Sequence, residues 1–114
     1  MKSFLFSLVI LAGTCFAMAQ ESSVQETQFK VFGNCNMCKA RIEKAVKIDG
    51  VSYAKWNKSS KMLKVAFDTT AVTVDSLQQR IAAVGHDTEK FKAQDSVYED
   101  LPGCCLYRDN ATTH

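Results

Sequence analysis

Between residues 27 and 92 the hydrophobic period of this chain switches from two to 3.6 residues and back, twice. That alternation restricts the fold more than any other feature. Gln28-Phe29-Lys30-Val31-Phe32 alternates polar and apolar residues as a half-buried strand does, and predicts a strand over 27–32. Ile42 and Val46, with Ala45 beside them, predict a helix over 37–48. Asp49-Gly50 stops it, glycine being favoured just past a helix end. Residues 51–57 and 62–67 return to strand alternation on either side of the polar turn Lys58-Ser59-Ser60-Lys61 and predict a hairpin. In the first of these, Val51, Tyr53 and Lys55 alternate against Ser52, Ala54 and Trp56. Thr73 is a good N-cap for a second helix, with Asp75 in its first turn. Val74, Leu77, Ile81 and Val84 supply its apolar stripe, and Gly85 ends it. Residues 88–92 predict a short fourth strand around Phe91. The order β-α-β-β-α-β is the split, ferredoxin-like α+β pattern: a four-stranded antiparallel sheet with two helices on one face, followed by a tail over 93–114.

The N-terminus predicts a compartment. Met1-Lys2 gives a charged start, residues 4–12 an apolar stretch, and Ala17-Met18-Ala19 a cleavage site, so a signal peptide over 1–19 and export to the periplasm are expected. The apolar stretch is too short to persist as a membrane span. A lipoprotein is the minor alternative: Leu11-Ala12-Gly13 precedes Cys15, but Thr14 displaces the small residue from the cysteine. Residues 20–26 are polar and read as an unstructured lead-in. The formal net charge is +2 with no dominant basic patch, which argues against a nucleic-acid partner. Removing the leader leaves Cys35, Cys38, Cys104 and Cys105. In an exported domain such a set is either a metal site or a disulfide framework.

Cys35-Asn36-Met37-Cys38 falls in the loop between the first strand and the first helix, where unpaired N–H groups and the helix dipole favour thiolate over thiol. Two such thiolates suit the soft ions Cu(I), Ag(I) and Hg(II). The competing reading is a structural or catalytic disulfide, with a thiol–disulfide oxidoreductase as the alternative function. A thioredoxin-type site calls for a parallel crossover and a nearby proline, and Pro102 is the chain's only proline. His86 reads either as a solvent-facing turn residue or as a weaker candidate ligand titrating near neutral pH. Cys104-Cys105 leaves three readings open: one cysteine buried as the tail packs on the sheet, a disulfide to Cys35 or Cys38, or extra thiolates folded over the loop. Additional sulfurs would shift preference toward Zn(II), Cd(II) or a shielded Cu(I). Lys30, Lys39, Arg41 and Lys44 form a basic rim, read as a solvated face that can dock an acidic partner. No base, nucleophile and oxyanion group converge, so no enzyme activity is expected.

Strand, Cys-x-x-Cys, basic helix, Gly50-Val51 opening a hairpin, and a helix ending at Gly85 together resemble the heavy-metal-associated domain family over roughly residues 27–92. That family includes small copper chaperones, periplasmic mercury-binding proteins and N-terminal modules of metal-pumping P-type ATPases. The resemblance implies Cys35 and Cys38 as metal ligands, with Cu(I) as first choice and Hg(II), Zn(II) or Cd(II) as alternatives. It also implies a metal-transporting P-type ATPase or an importer as partner, and a monomer or metal-bridged dimer. Two positions depart from the family pattern. Gly33 stands where a buried methionine usually anchors the loop, and His86 where copper chaperones commonly carry Tyr or Lys.

Overall fold

A computed structural model describes residues 23–108; the expected signal peptide, residues 20–22 and residues 109–114 lie outside the described residues. The elements are β1 (Val24–Lys30), α1 (Asn36–Ala45), β2 (Val51–Trp56), β3 (Met62–Asp68), α2 (Val74–Ala83), a short α3 (Asp95–Glu99) and a 3-10 turn (Gly103–Cys105). The strands form an antiparallel sheet in the order β1-β3-β2. β1 begins earlier than the sequence predicts. Val24, Gln25 and Glu26, read as lead-in, pair with Asp68, Phe67 and Ala66, because β3 offers them a full row of backbone partners.

One face of β3 (Leu63, Val65, Phe67) is buried with Phe29 of β1, Ile42 of α1, and Leu77 and Ile81 of α2, in one cluster. On β2 the expected alternation is broken by a bulge between Val51 and Tyr53, where Tyr53 pairs with Ala66. The extra residue changes which side chains face inward. Trp56 becomes buried, Ala54 packs against the core, and Tyr53 is left exposed. α2 starts in a reciprocal capping box: Ser76 N–H donates to Thr73 Oγ1 at 3.1 Å, and Thr73 N–H to Ser76 Oγ at 3.2 Å. Gly85 ends that helical run at φ +109°, and Leu101 Cδ2 lies 2.9 Å from where a Cβ would sit. Backbone conformation and space therefore both demand glycine there.

The expected fourth strand is not formed. Val31 and Thr88 make an isolated antiparallel bridge, and the chain then turns away. Thr88 causes the turn: its N–H donates to the Phe91 carbonyl at 2.8 Å, and its Oγ1 accepts from Phe91 N–H at 3.1 Å. Gln78 Oε1 of α2 fixes the turn by accepting from Thr88 Oγ1 and Lys90 N–H. Glu89 then takes up the β1 edge, accepting from Lys30 N–H through its carboxylate and donating its own N–H to the Lys30 carbonyl. The segment after residue 92 does not stand apart from the domain either. Tyr98, Leu101, Cys105 and Tyr107 belong to the same buried cluster as the sheet and helices.

Candidate metal centre

The loop between β1 and α1 is held from beneath by Trp56. Its indole N–H donates to the Val31 carbonyl at 3.0 Å, and the ring lies against Gly33. A Cβ at Gly33 would sit 3.1 Å from the Trp56 ring and 3.0 Å from Cys38 Cβ. Gly33 thus makes room for the Trp56 ring, which anchors the loop. α1 is fastened to the same residue. Glu43 accepts from Trp56 N–H at 2.9 Å, Lys39 Nζ donates to the Trp56 carbonyl at 2.9 Å, and Lys39 pairs with Glu43.

This scaffold presents Cys35 at the N-cap of α1 and Cys38, fully buried, in its first turn. No acidic side chain occupies that turn, so the positive end of the helix is left to the sulfurs. Their Sγ atoms are 3.3 Å apart, and Asn34 N–H lies 3.4 Å from Cys38 Sγ. Cys105 brings a third sulfur to within 3.3 Å of Cys35, and the three Sγ atoms all lie within 4.8 Å of one another. Cys104, exposed, places its sulfur 3.0 Å from Cys35, 3.8 Å from Cys105 and 3.6 Å from Met37 Sδ. All four thiols are free. Of the three sequence readings of the Cys104-Cys105 pair, the disulfide is not formed. The tail does bury one cysteine, and it lies over the loop.

Cys35, Cys104 and Cys105 are electrostatically unequal. Burial opposes charge on Cys35, yet hydrogen bonds from Cys104, the Cys38 N–H, Cys105 and Cys38 outweigh it and lower its pKa to about 6. Cys104 is raised, first because it hydrogen-bonds Cys35 and then by burial. Burial, followed by hydrogen bonds to Cys38 and Cys35, pushes Cys105 well above the usual thiol range, against Arg41, whose Nη1 lies 3.5 Å from its sulfur. Of these three, Cys35 is therefore the sulfur most ready to attack a soft ion near neutral pH.

A second set of contacts seats the tail. Tyr107, buried, donates its hydroxyl to the Gly85 carbonyl at 2.7 Å and accepts from Asp87 N–H at 2.7 Å. Arg108 forks onto both Asp87 oxygens at 2.7 and 3.0 Å and reaches Asp95 and the Ala93 carbonyl. Its guanidinium also lies 4.3 Å from the centre of the Tyr98 ring. Sequence reasoning missed this clamp and Trp56 alike; the Tyr-Arg pair just after Cys104-Cys105 was its only trace.

His86 departs from the reading of a solvent-facing turn residue and from the expected titration near neutral pH. It is fully buried, and burial, only partly opposed by its hydrogen bond to Phe32, lowers its pKa to about 4. Nδ1 donates to the Phe32 carbonyl at 2.8 Å and the ring stacks on Tyr107, while Nε2 has no hydrogen-bond partner. It stands outside the group of three close sulfurs. Its place is between loop and tail, in contact with both.

Several solved structures share this architecture with the chain. The chain is 30% identical to the CopZ metallochaperone, covering 98% of that chain and 56% of this one, with a TM-score of 0.54. The chain belongs to the heavy-metal-associated domain family. A second neighbour is the N-terminal domain of a potential copper-translocating P-type ATPase from Bacillus subtilis in its Cu(I)-loaded state. It is 28% identical, with 95% of it and 65% of this chain covered and a TM-score of 0.55. Oxidised MerP from Ralstonia metallidurans CH34 is 26% identical, with 94% of it and 58% of this chain covered and a TM-score of 0.55. No family model and no curated protein matches the sequence. In this chain the C-terminal segment brings two further thiols to the loop of Cys35 and Cys38.

Proposed function

We propose that this protein is an exported carrier that sequesters Cu(I) at Cys35 and Cys38 and hands it on by ligand exchange. The observation that carries the reading is the pair of free sulfurs, 3.3 Å apart, at the uncompensated N-terminus of α1. The likeness to CopZ and to the Cu(I)-loaded ATPase domain favours copper as the cargo. Capture of Hg(II) ahead of an importer is the second reading, favoured by the likeness to MerP. Export rests on the sequence of residues 1–19. Among the described residues no helix is long and apolar enough to cross a membrane.

Relay needs no catalytic apparatus. A partner's thiol adds to bound Cu(I), its proton passes to the departing cysteine, and one Cu–S bond forms as another breaks. The cleft between α1 and α2 beside Met37 is rimmed by Arg41, Lys44 and Arg80, which suits an acidic partner such as the metal-binding module of a transport ATPase.

The rival from another class is a thiol–disulfide oxidoreductase at Cys35-Cys38, and one paired assay separates the two. A carrier retains about one Cu(I) against a competing chelator and fails to reduce insulin disulfides. Reduction of insulin that survives metal chelation would contradict the carrier reading.

A further inference from the structure

Resting on the carrier reading, we propose that Cys105 is the third thiolate of a trigonal Cu(I) centre, so that the C-terminal segment closes the site from within the same chain. Three observations lead there. The first is spacing. A metal ~2.3 Å from each sulfur sets a trigonal trio roughly 4 Å apart and a linear pair roughly 4.6 Å apart. Cys35 lies 3.3 Å from both Cys38 and Cys105, and all three sulfurs lie within 4.8 Å of one another. A trigonal ion needs the smaller outward adjustment and leaves no sulfur of the trio idle.

The second is preorganisation. Cys105 is buried and held from both sides. Leu101 packs against Gly85 before it, while Tyr107 and the Arg108–Asp87 fork fix the chain after it. A ligand seated this way binds as an intramolecular group at high effective concentration. The third is charge. A third thiolate adds a negative charge that must be offset, and the Arg41 guanidinium already points at the sulfur of Cys105. Cys104 stands outside the trio, exposed, with its sulfur against Met37.

Release then differs from that of an open two-sulfur clamp. The incoming thiol adds to copper and gives its proton to Cys105, whose Cu–S bond breaks. Copper stays Cu(I) throughout, and the number of Cu–S bonds returns to three. The partner's first act is to displace the tail.

Copper-edge X-ray absorption on the full reduced chain, loaded with one Cu(I), tests this. The expected result is three sulfurs in wild type and in Cys104→Ser, but two in Cys105→Ser. Competition against a Cu(I) chelator should show Cys105→Ser weakened by roughly tenfold or more, and Cys104→Ser within about threefold of wild type. The wild-type sulfur count stands whether or not Cys105→Ser folds. Copper retained with a count of two or four in wild type overturns the proposal and leaves the carrier reading intact. An unchanged count in folded Cys105→Ser does the same. Failure of wild type to retain copper overturns both.

Discussion

Cys38 and Cys105 are both fully buried sulfurs of one cluster, yet they reach it by opposite routes. Cys38 is placed by local structure: three residues after Cys35, in the first turn of α1, over a loop that Trp56 supports. Cys105 arrives from 70 residues beyond Cys35, carried by a 3-10 turn and fastened by Tyr107 and Arg108 to the residues that follow α2. Local geometry makes a motif that spacing can announce. Long-range geometry depends on which side chains meet, and spacing is silent about that. His86 joins the two regions, bonding Phe32 on the loop side and stacking on Tyr107 on the tail side.

The largest expected effect comes from removing the support of the local half. Trp56→Ala deletes a fully buried ring and the hydrogen bond to Val31, and should cost about 3–5 kcal/mol in urea unfolding. A loss below about 1 kcal/mol would show that the loop is anchored elsewhere.

Next is the junction between the halves. His86 stays neutral in the fold down to about pH 4, while the unfolded chain takes up its proton near 6.5. The stabilisation is complete above pH 6.5 and is lost as pH falls toward 4, by about 2–3 kcal/mol. His86→Gln should flatten that part of the pH–stability curve; an identical slope in the variant would remove His86 from the account.

The long-range half should yield at a smaller cost. Arg108→Ala breaks a partly buried fork onto Asp87 and should destabilise by about 2 kcal/mol. Alkylation of Cys105 should accelerate while Cys38 stays protected. Equal acceleration at both would mean that the two routes are not separable.

Least disruptive is a reading of the thiols themselves. Peptide-resolved alkylation of the reduced protein should label Cys35 with a midpoint near pH 6, well before Cys105 reacts. A common midpoint for both would contradict their inequality.

The same contrast explains what the sequence could announce. The hairpin, both helices and the Cys-x-x-Cys loop were legible because the period of apolar residues and the stop glycines are local signals. The bulge in β2 was not, since one inserted residue changes the burial of Tyr53 and Trp56 without altering composition. The fourth strand failed because Thr88 and Gln78 compete for the backbone that a strand would need. His86 looked exposed because nothing near it in sequence foretells Tyr107 closing over it. Cys104-Cys105 could be singled out as a puzzle, but the Arg108–Asp87 contact that places it joins residues 21 apart.

The central claim is that Cys35 and Cys38 hold a soft cation. A Cu(I) competition titration of the reduced protein against a chromogenic chelator, beside the Cys35→Ser/Cys38→Ser variant, tests it most directly. Retention of about one Cu(I) by wild type and none by the folded variant is the predicted result. Equal retention by both, or none by wild type, would contradict it.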